Sequence, residues 1–163
     1  MDRNPRATAP DSRLALAREM GADVTLDLQK TSPEQRKEAV LDATLREGAD
    51  AVLEAAGAAS AIAEGLDLLR VGGRYVIAGH YTDVGDCTIN AHTLINRKHV
   101  EIRGCWGSEP RHFLRALTVL DQQRGRIPFR KIGAKRYGLS ELNAALADAE
   151  AMRIPKALVD PWK

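Results

Sequence analysis

Cysteine is nearly absent from this chain: Cys87 and Cys105 are the only two. That excludes a disulfide framework and a cysteine-rich metal cluster, and it fits a reducing compartment. Aromatic residues are scarce as well, at 4%, so a core must be built from Ala, Leu, Val and Ile. Neither sign of charge prevails. Lys+Arg 24 against Asp+Glu 22 leaves +2, too little positive field to recommend a nucleic acid or a membrane surface as partner. No apolar run approaches the ~20 residues that span a bilayer. The opening stretch, Met1 to Arg13, is polar and lacks the apolar segment of a secretory signal. The phosphate motifs are missing too: no G-x-G-x-x-G follows a strand, and no G-x-x-x-x-G-K-[ST] occurs. What remains is ordinary for a globular protein. With 163 residues, 44% hydrophobic and 28% charged, the chain has room for about one medium domain, and disorder and collagen-like structure are excluded. The composition points to a cytoplasmic globular protein.

Met1 to Ala9 has no periodicity and reads as a tail. From Pro10 the pattern is helical, with Leu14, Ala17 and Met20 on one side and Gly21 placed for a left-handed cap. Val24, Leu26 and Leu28 alternate with Asp23, Thr25 and Asp27, which predicts a short strand. Ser32-Pro33-Glu34-Gln35 reads as a capping box with Pro33 in the first turn. The helix it opens carries Ala39, Val40 and Ala43 inward and ends by Gly48. Ala51-Val52-Leu53 suits a strand buried on both faces. Ile62, Leu66 and Leu69 mark a helix opened by Ser60 and closed by Gly72-Gly73. Arg74 to Gly79 reads as a buried strand, followed by a polar connection from His80 to about Lys98. His99 to Arg103 alternates, placing Val100 and Ile102 on the core side. Phe113, Leu117 and Leu120 define a helix that stops at Gly125. A strand near Ile132, a helix carrying Leu142, Ala145, Leu146 and Ala149, and a strand at Ala157-Leu158-Val159 complete the chain. Strands separated by helices imply βαβ units and a parallel sheet, hence an α/β fold.

In an open parallel sheet the ligand lies beyond the carboxyl ends of the strands. Glu54 to Gly57, Gly79 with His80, and Gly104 to Gly107 are therefore the candidate ligand-facing residues. Gly57, Gly79 and Gly104 would let backbone approach a ligand closely, although glycine also simply ends strands, and both readings stand at this point. His80, His92, His99 and His112 show no metal-ligand spacing, and Cys87 with His92 makes only two donors; no metal site is expected. His80 alone stands at a strand's ligand end, with Trp106 in a similar place. No catalytic triad can be placed.

Several segments, in this order and spacing, resemble the medium-chain dehydrogenase/reductase family of the zinc alcohol dehydrogenase type. Arg13 to Asp23 is similar to that family's helix-to-strand passage, and Gly48 to Gly57 to its next strand and turn. Leu68 to Arg74 followed by Val76 to Gly79 continues the likeness. Asn96 to Gly104 resembles the strand beside the nicotinamide and the dimer edge. Tyr137 to Asn143, with Lys156 to Val159, is similar to the closing helix and strand. The likeness runs from about residue 10 to about residue 160, nearly the whole chain.

The resemblance implies an NAD- or NADP-binding portion of an alcohol or polyol dehydrogenase, in which zinc polarises the alcohol oxygen and hydride passes to the nicotinamide. It places Ala56 and Gly57 near the adenosine side, and Ala78, Gly79 and His80 near the nicotinamide ribose. Gly104, Cys105 and Trp106 would flank the carboxamide. Lys156 takes the position of a basic residue on the pyrophosphate, where it would act as a point charge. The strand at Val100-Ile102 would be the edge for a homo-oligomer.

The departures are equally definite. The family's zinc ligands and structural-zinc cysteines are not in this chain, nor are the first strand and glycine-rich turn of its Rossmann domain. The acidic residue that would hold the ribose would fall near Thr8, in the tail, so NAD and NADP are not distinguished. The expected fold is thus an incomplete Rossmann-like parallel sheet with a returning C-terminal helix and strand. Its divisions are an unmatched tail over 1–9, a partial NAD(P)-binding domain over 10–126 and a C-terminal segment over 127–163. In strand order 3-2-1-4-5-6 the first strand joins the two halves. Without it, the strand at Ala51 to Leu53 exposes an edge. The chain alone is then expected to be inactive, to bind dinucleotide poorly and to associate. A methyltransferase-like domain binding S-adenosylmethionine and a noncatalytic interaction module are the competing readings.

Overall fold

The computed structural model describes residues 11–132, 134–151 and 153–162. The tail expected over residues 1–9, the position near Thr8 and Gly133 lie outside the described residues. The chain folds as two compact units, one of Thr31–Glu109 and one of Met1–Lys30 with Pro110–Lys163.

The Thr31–Glu109 unit opens on α2 (Pro33–Ala43), the second helix of the chain. Its start is the expected capping box: the Gln35 N–H donates to Ser32 Oγ at 3.2 Å, and the Ser32 N–H donates to Gln35 Oε1 at 2.8 Å. Then come β1 (Ala49–Glu54), α3 (Ala59–Leu68), β2 (Leu69–Ile77), a π-helical turn (His92–Asn96) and β3 (Glu101–Gly104). The three strands form a parallel sheet in the order β1-β2-β3, with Leu53 beside Val76 and Tyr75 beside Ile102. Helix α3 covers one face of it. Ile62, Leu66, Leu69 and Tyr75 make the core there, with Val52, Ile77, Leu94, Ile95 and Val100 packed around them. The Tyr75 side chain is 0% exposed, and its O–H donates to the Ala61 carbonyl at 2.9 Å. Helix α2 lies against α3, where Arg36 meets Glu64 and Lys37 meets Asp67.

Lys98 closes the end of α3. Its Nζ donates to the carbonyls of Leu66, Asp67 and Leu69 at 2.7–3.0 Å. These are the carbonyls that a helix end leaves without an internal donor. Burial, before any neighbouring charge, holds this ammonium below the usual lysine range.

The other unit contains α1 (Asp11–Glu19), α4 (Pro110–Gln123), a 3₁₀ turn (Phe129–Ile132), β4 (Ala134–Gly138), α5 (Leu142–Glu150) and β5 (Lys156–Asp160). Gly21, at φ 104°, ends α1 as expected. Its N–H donates to the Arg18 carbonyl, and that of Ala22 to the Ala17 carbonyl, both at 3.0 Å; this is the Schellman arrangement. Strands β4 and β5 pair in parallel as a separate two-stranded sheet. Tyr137 and Ala145 are buried beside it. Asp148 accepts hydrogen bonds from the Tyr137 hydroxyl, Lys135 Nζ and Arg153 Nε at 2.5–3.0 Å.

Several expectations are corrected. Val24 to Leu28 is not a strand: strands exist by virtue of a ladder, and among the described residues nothing pairs with this segment. Helix α3 opens after Ala58 rather than at Ser60 and ends at Leu68, and Gly72-Gly73 fall inside β2. Strand β1 is buried on one face only: Val52 and Glu54 turn inward, while Leu53 on the opposite face is 66% exposed. Ala43 is exposed, and so is Ile102, on the opposite edge strand β3. The connection after His80 contains the π-helical turn that brings Leu94 and Ile95 onto the core. Ile132 closes a 3₁₀ turn, and the strand begins after it.

Candidate functional site

The carboxyl ends of β1, β2 and β3 stand side by side, so the loops that leave them share one end of the sheet. Ala56 and Gly57 lie in the turn after β1, and Ala78, Gly79 and His80 in the turn after β2. Gly104 ends β3, with Cys105 and Trp106 just beyond. Eight of the nine residues expected at the cofactor therefore gather at one end of one unit. The ninth, Lys156, starts β5 in the other unit and is exposed.

Two turns come into backbone contact here. A Cβ on Gly57 would stand 2.5 Å from the Gly79 carbonyl oxygen, and one on Gly79 would stand 2.5 Å from the Gly57 nitrogen. No side chain fits at that separation. Gly57 also adopts φ 67°, which L residues rarely take. Glycine at these two positions is thus required by close approach, whereas nothing stands within 4 Å of a Cβ on Gly104.

Glu54 ties the two turns together. It is 4% exposed, at the last position of β1. The N–H groups of Ala56 and Gly57 donate to its Oε1 at 2.7 and 2.6 Å, and that of Gly79 donates to its Oε2 at 3.2 Å. Its main-chain carbonyl accepts from Ala78 and Gly79 at 2.9 Å each. Burying a carboxylate is costly unless it is fully hydrogen-bonded, and here three backbone donors supply that bonding. The Nε2 atom of His80 is buried without a hydrogen-bond partner, 3.8 Å from Glu54 Oε2. Beneath this end of the sheet, burial reinforced by the Glu54 carboxylate pushes the Tyr75 phenol up to about 12.

At the other side of the cluster, Trp106 stacks on Tyr81, ring centroids 6.1 Å apart and planes at 25°. The rings stay 77% and 69% exposed, respectively. The Cys105 N–H donates to the Ile77 carbonyl at 2.8 Å and so extends the β2–β3 pairing one step past the strand. Cys105 and Cys87 are both unpaired and exposed. The sequence places Glu54 among the ligand-facing candidates; the structure instead buries its carboxylate against the backbone of the two turns. The available signal was a lone acidic residue closing the apolar run Ala51-Val52-Leu53, three residues before a glycine.

The chain belongs to the zinc-binding dehydrogenase family, whose sequence profile matches residues 7–122. It is 33% identical over 148 residues to a 5-exo-hydroxycamphor dehydrogenase of Pseudomonas putida, a match that covers 91% of this chain and 41% of that protein. It is 30% identical to a sorbitol dehydrogenase of Halalkalibacterium halodurans, over the same two shares. Its fold superposes on a crystal structure of an alcohol dehydrogenase from Thermotoga maritima with a TM-score of 0.83 and 33% identity, over 92% of this chain and 40% of that one. This chain thus spans about two fifths of the length of the relatives it matches. These matches support the Rossmann-like α/β fold expected from the sequence.

The family name implies zinc, and the residues here do not fit it. Among the described residues no group of three or more His, Cys, Asp or Glu side chains is assembled to hold a metal ion. A nicotinamide dinucleotide fits better, because the turns after β1, β2 and β3 stand together at the carboxyl ends of a parallel sheet and the buried His80 nitrogen lacks a partner. Among the described residues no helix is long and apolar enough to cross a membrane.

Proposed function

We propose that this chain is the cofactor-binding portion of an NAD- or NADP-dependent alcohol or polyol dehydrogenase. The dinucleotide would lie across the carboxyl ends of β1, β2 and β3. Ala56 and Gly57 would then face its adenosine side, and Ala78, Gly79 and His80 its nicotinamide ribose. Gly104, Cys105 and Trp106 would flank the carboxamide, and Lys156 would offer a point charge to the pyrophosphate. The observation that carries this reading is that the turns after β1, β2 and β3 stand together at the carboxyl ends of one parallel sheet, where open α/β sheets take their ligands. The dinucleotide, when bound, supplies the hydride chemistry; the residues described here bind and orient. Hydride exchange with an alcohol belongs to the whole dehydrogenases, and the present chain is proposed to be inactive by itself, with residues 10–126 as the partial cofactor domain and 127–163 as the returning segment.

Association is the second part of the proposal. Leu53 stands bare on β1, and among the described residues no strand pairs with the outer edge of β3, next to Val100–Ile102. An open edge offers unpaired backbone groups to a second chain. The proposed homo-oligomer would pair through Val100–Ile102. A cytoplasmic location is proposed on the two unpaired cysteines.

The test combines an NADH fluorescence titration with sizing of the same sample, and thermal shifts with NAD, NADP and S-adenosylmethionine. Weak NADH binding by a species that grows with concentration is expected, with stabilisation by a nicotinamide dinucleotide. Micromolar NADH binding by a monodisperse monomer would defeat the expectation of weak binding and association. Stabilisation by S-adenosylmethionine alone would replace the dehydrogenase reading.

A further inference from the structure

We propose that Glu54 is the positioning residue of this site: its carboxylate, rather than glycine alone, sets the separation between the turn after β1 and the turn after β2. The inference rests on the dinucleotide reading above and adds to it the group that holds the cradle in shape. Three backbone N–H donors, from Ala56, Gly57 and Gly79, converge on its two oxygens at 2.6–3.2 Å. Two of them belong to one turn and the third to the other; the Gly79 N–H is shared with the Glu54 main-chain carbonyl at 2.9 Å, so the side chain bridges the turns alongside the backbone.

Only an acceptor with no donor hydrogen can serve all three. An ionised carboxylate presents two oxygens and no hydrogen. Glutamine has the same shape, but its NH₂ must face either the Ala56 and Gly57 pair or Gly79, which sets donor against donor. Aspartate keeps the charge but reaches one methylene less far. The buried Nε2 of His80 stands 3.8 Å from Oε2, beyond hydrogen-bond distance, and has no hydrogen-bond partner. The touching turns leave no slack to absorb a change, since either glycine's Cβ position is 2.5 Å from the opposite backbone.

The test uses the full 163-residue chain labelled with ¹⁵N, as wild type, Glu54→Gln and Glu54→Asp. Amide spectra and hydrogen exchange are read with and without NADH at millimolar concentration. Glu54→Gln is expected to shift the amides of Ala56, Gly57 and Gly79 and to speed their exchange while the amides around Tyr75 keep their protection. NADH affinity, corrected for the folded fraction, should fall about tenfold or more, as loss of charge-assisted hydrogen bonds at a binding surface allows. Glu54→Asp should fall between the two and decides the matter if the glutamine variant does not fold. Wild-type binding that survives undiminished in folded Glu54→Gln, or turn amides that stay protected there, overturns the proposal and leaves the dinucleotide reading intact. Absence of any NADH-dependent shift in the wild type removes the dinucleotide reading, and the proposal with it.

Discussion

Gly65 shows how one residue's role depends on what lies across from it. In the middle of α3, glycine costs about 1 kcal/mol relative to alanine on propensity alone, so Gly65→Ala ought to stabilise the helix. The opposite side chain reverses the sign. A Cβ there would stand 2.5–2.7 Å from the hydroxyl and ring of Tyr75, which is fully buried and anchored to Ala61. An overfilled core of this kind costs roughly 1–3 kcal/mol. Gly65→Ala is therefore expected to lower the midpoint of chemical unfolding, and a midpoint equal to wild type or higher would show that the Tyr75 ring gives way. Nothing in the local sequence distinguishes Gly65 from a helix glycine of no consequence. Gly57 and Gly79 were legible as strand-end glycines, but the need for glycine at both comes from their contact with each other.

Elements were most legible where a local signal starts or stops them. Ser32, Pro33 and Gln35 specify the start of α2, and the structure forms both reciprocal hydrogen bonds. Removing the hydroxyl in Ser32→Ala should cost about 1 kcal/mol, measurable as a shift in thermal or chemical unfolding at unchanged cooperativity. An unchanged midpoint would mean that solvent caps the Gln35 N–H equally well. The end of α3 was not legible. Gly72-Gly73 looked like its stop, whereas the helix ends four residues earlier and is closed by Lys98, about thirty positions away in sequence. Such a cap is invisible to any reading confined to neighbouring residues. Val24 to Leu28 fails for a related reason. Alternation gives a segment two faces, but only a partner strand makes it a strand. Helix α4 carries the expected Phe113, Leu117 and Leu120, and all three are exposed. Their periodicity specified the helix without specifying a cover for it.

At the scale of the whole molecule, stability is tied to acid through Asp148. The Tyr137 hydroxyl first, and then Lys135 and Arg153, hold its carboxyl well below the ordinary aspartate value of 3.8. A carboxyl with a depressed folded value binds fewer protons folded than unfolded between those two values. Its contribution is therefore fully present above 3.8 and is lost as pH falls from there through the folded value. Wild type should be more stable than Asp148→Asn at neutral pH, with the gap closing below 3.8 in acid titrations followed by circular dichroism. A gap that stays constant with pH would assign the loss to shape and not to charge. Bare Leu53, Phe113 and Leu117, by contrast, should drive association irrespective of this titration.

The sequence by itself determined the α/β class, the order of most helices and strands, the caps of α1 and α2, and the family to which the chain belongs. Those features are written in periods, caps and spacings that lie within a few residues of one another. Only the tertiary structure decided which strand faces are bare, that Glu54 bridges two turns, that Lys98 closes α3, and that eight of the nine expected cofactor residues meet at one end of one sheet while Lys156 belongs to the other unit. These depend on which distant segments meet. A buried carboxylate or ammonium reveals its role only when its hydrogen-bond partners arrive from elsewhere in the chain.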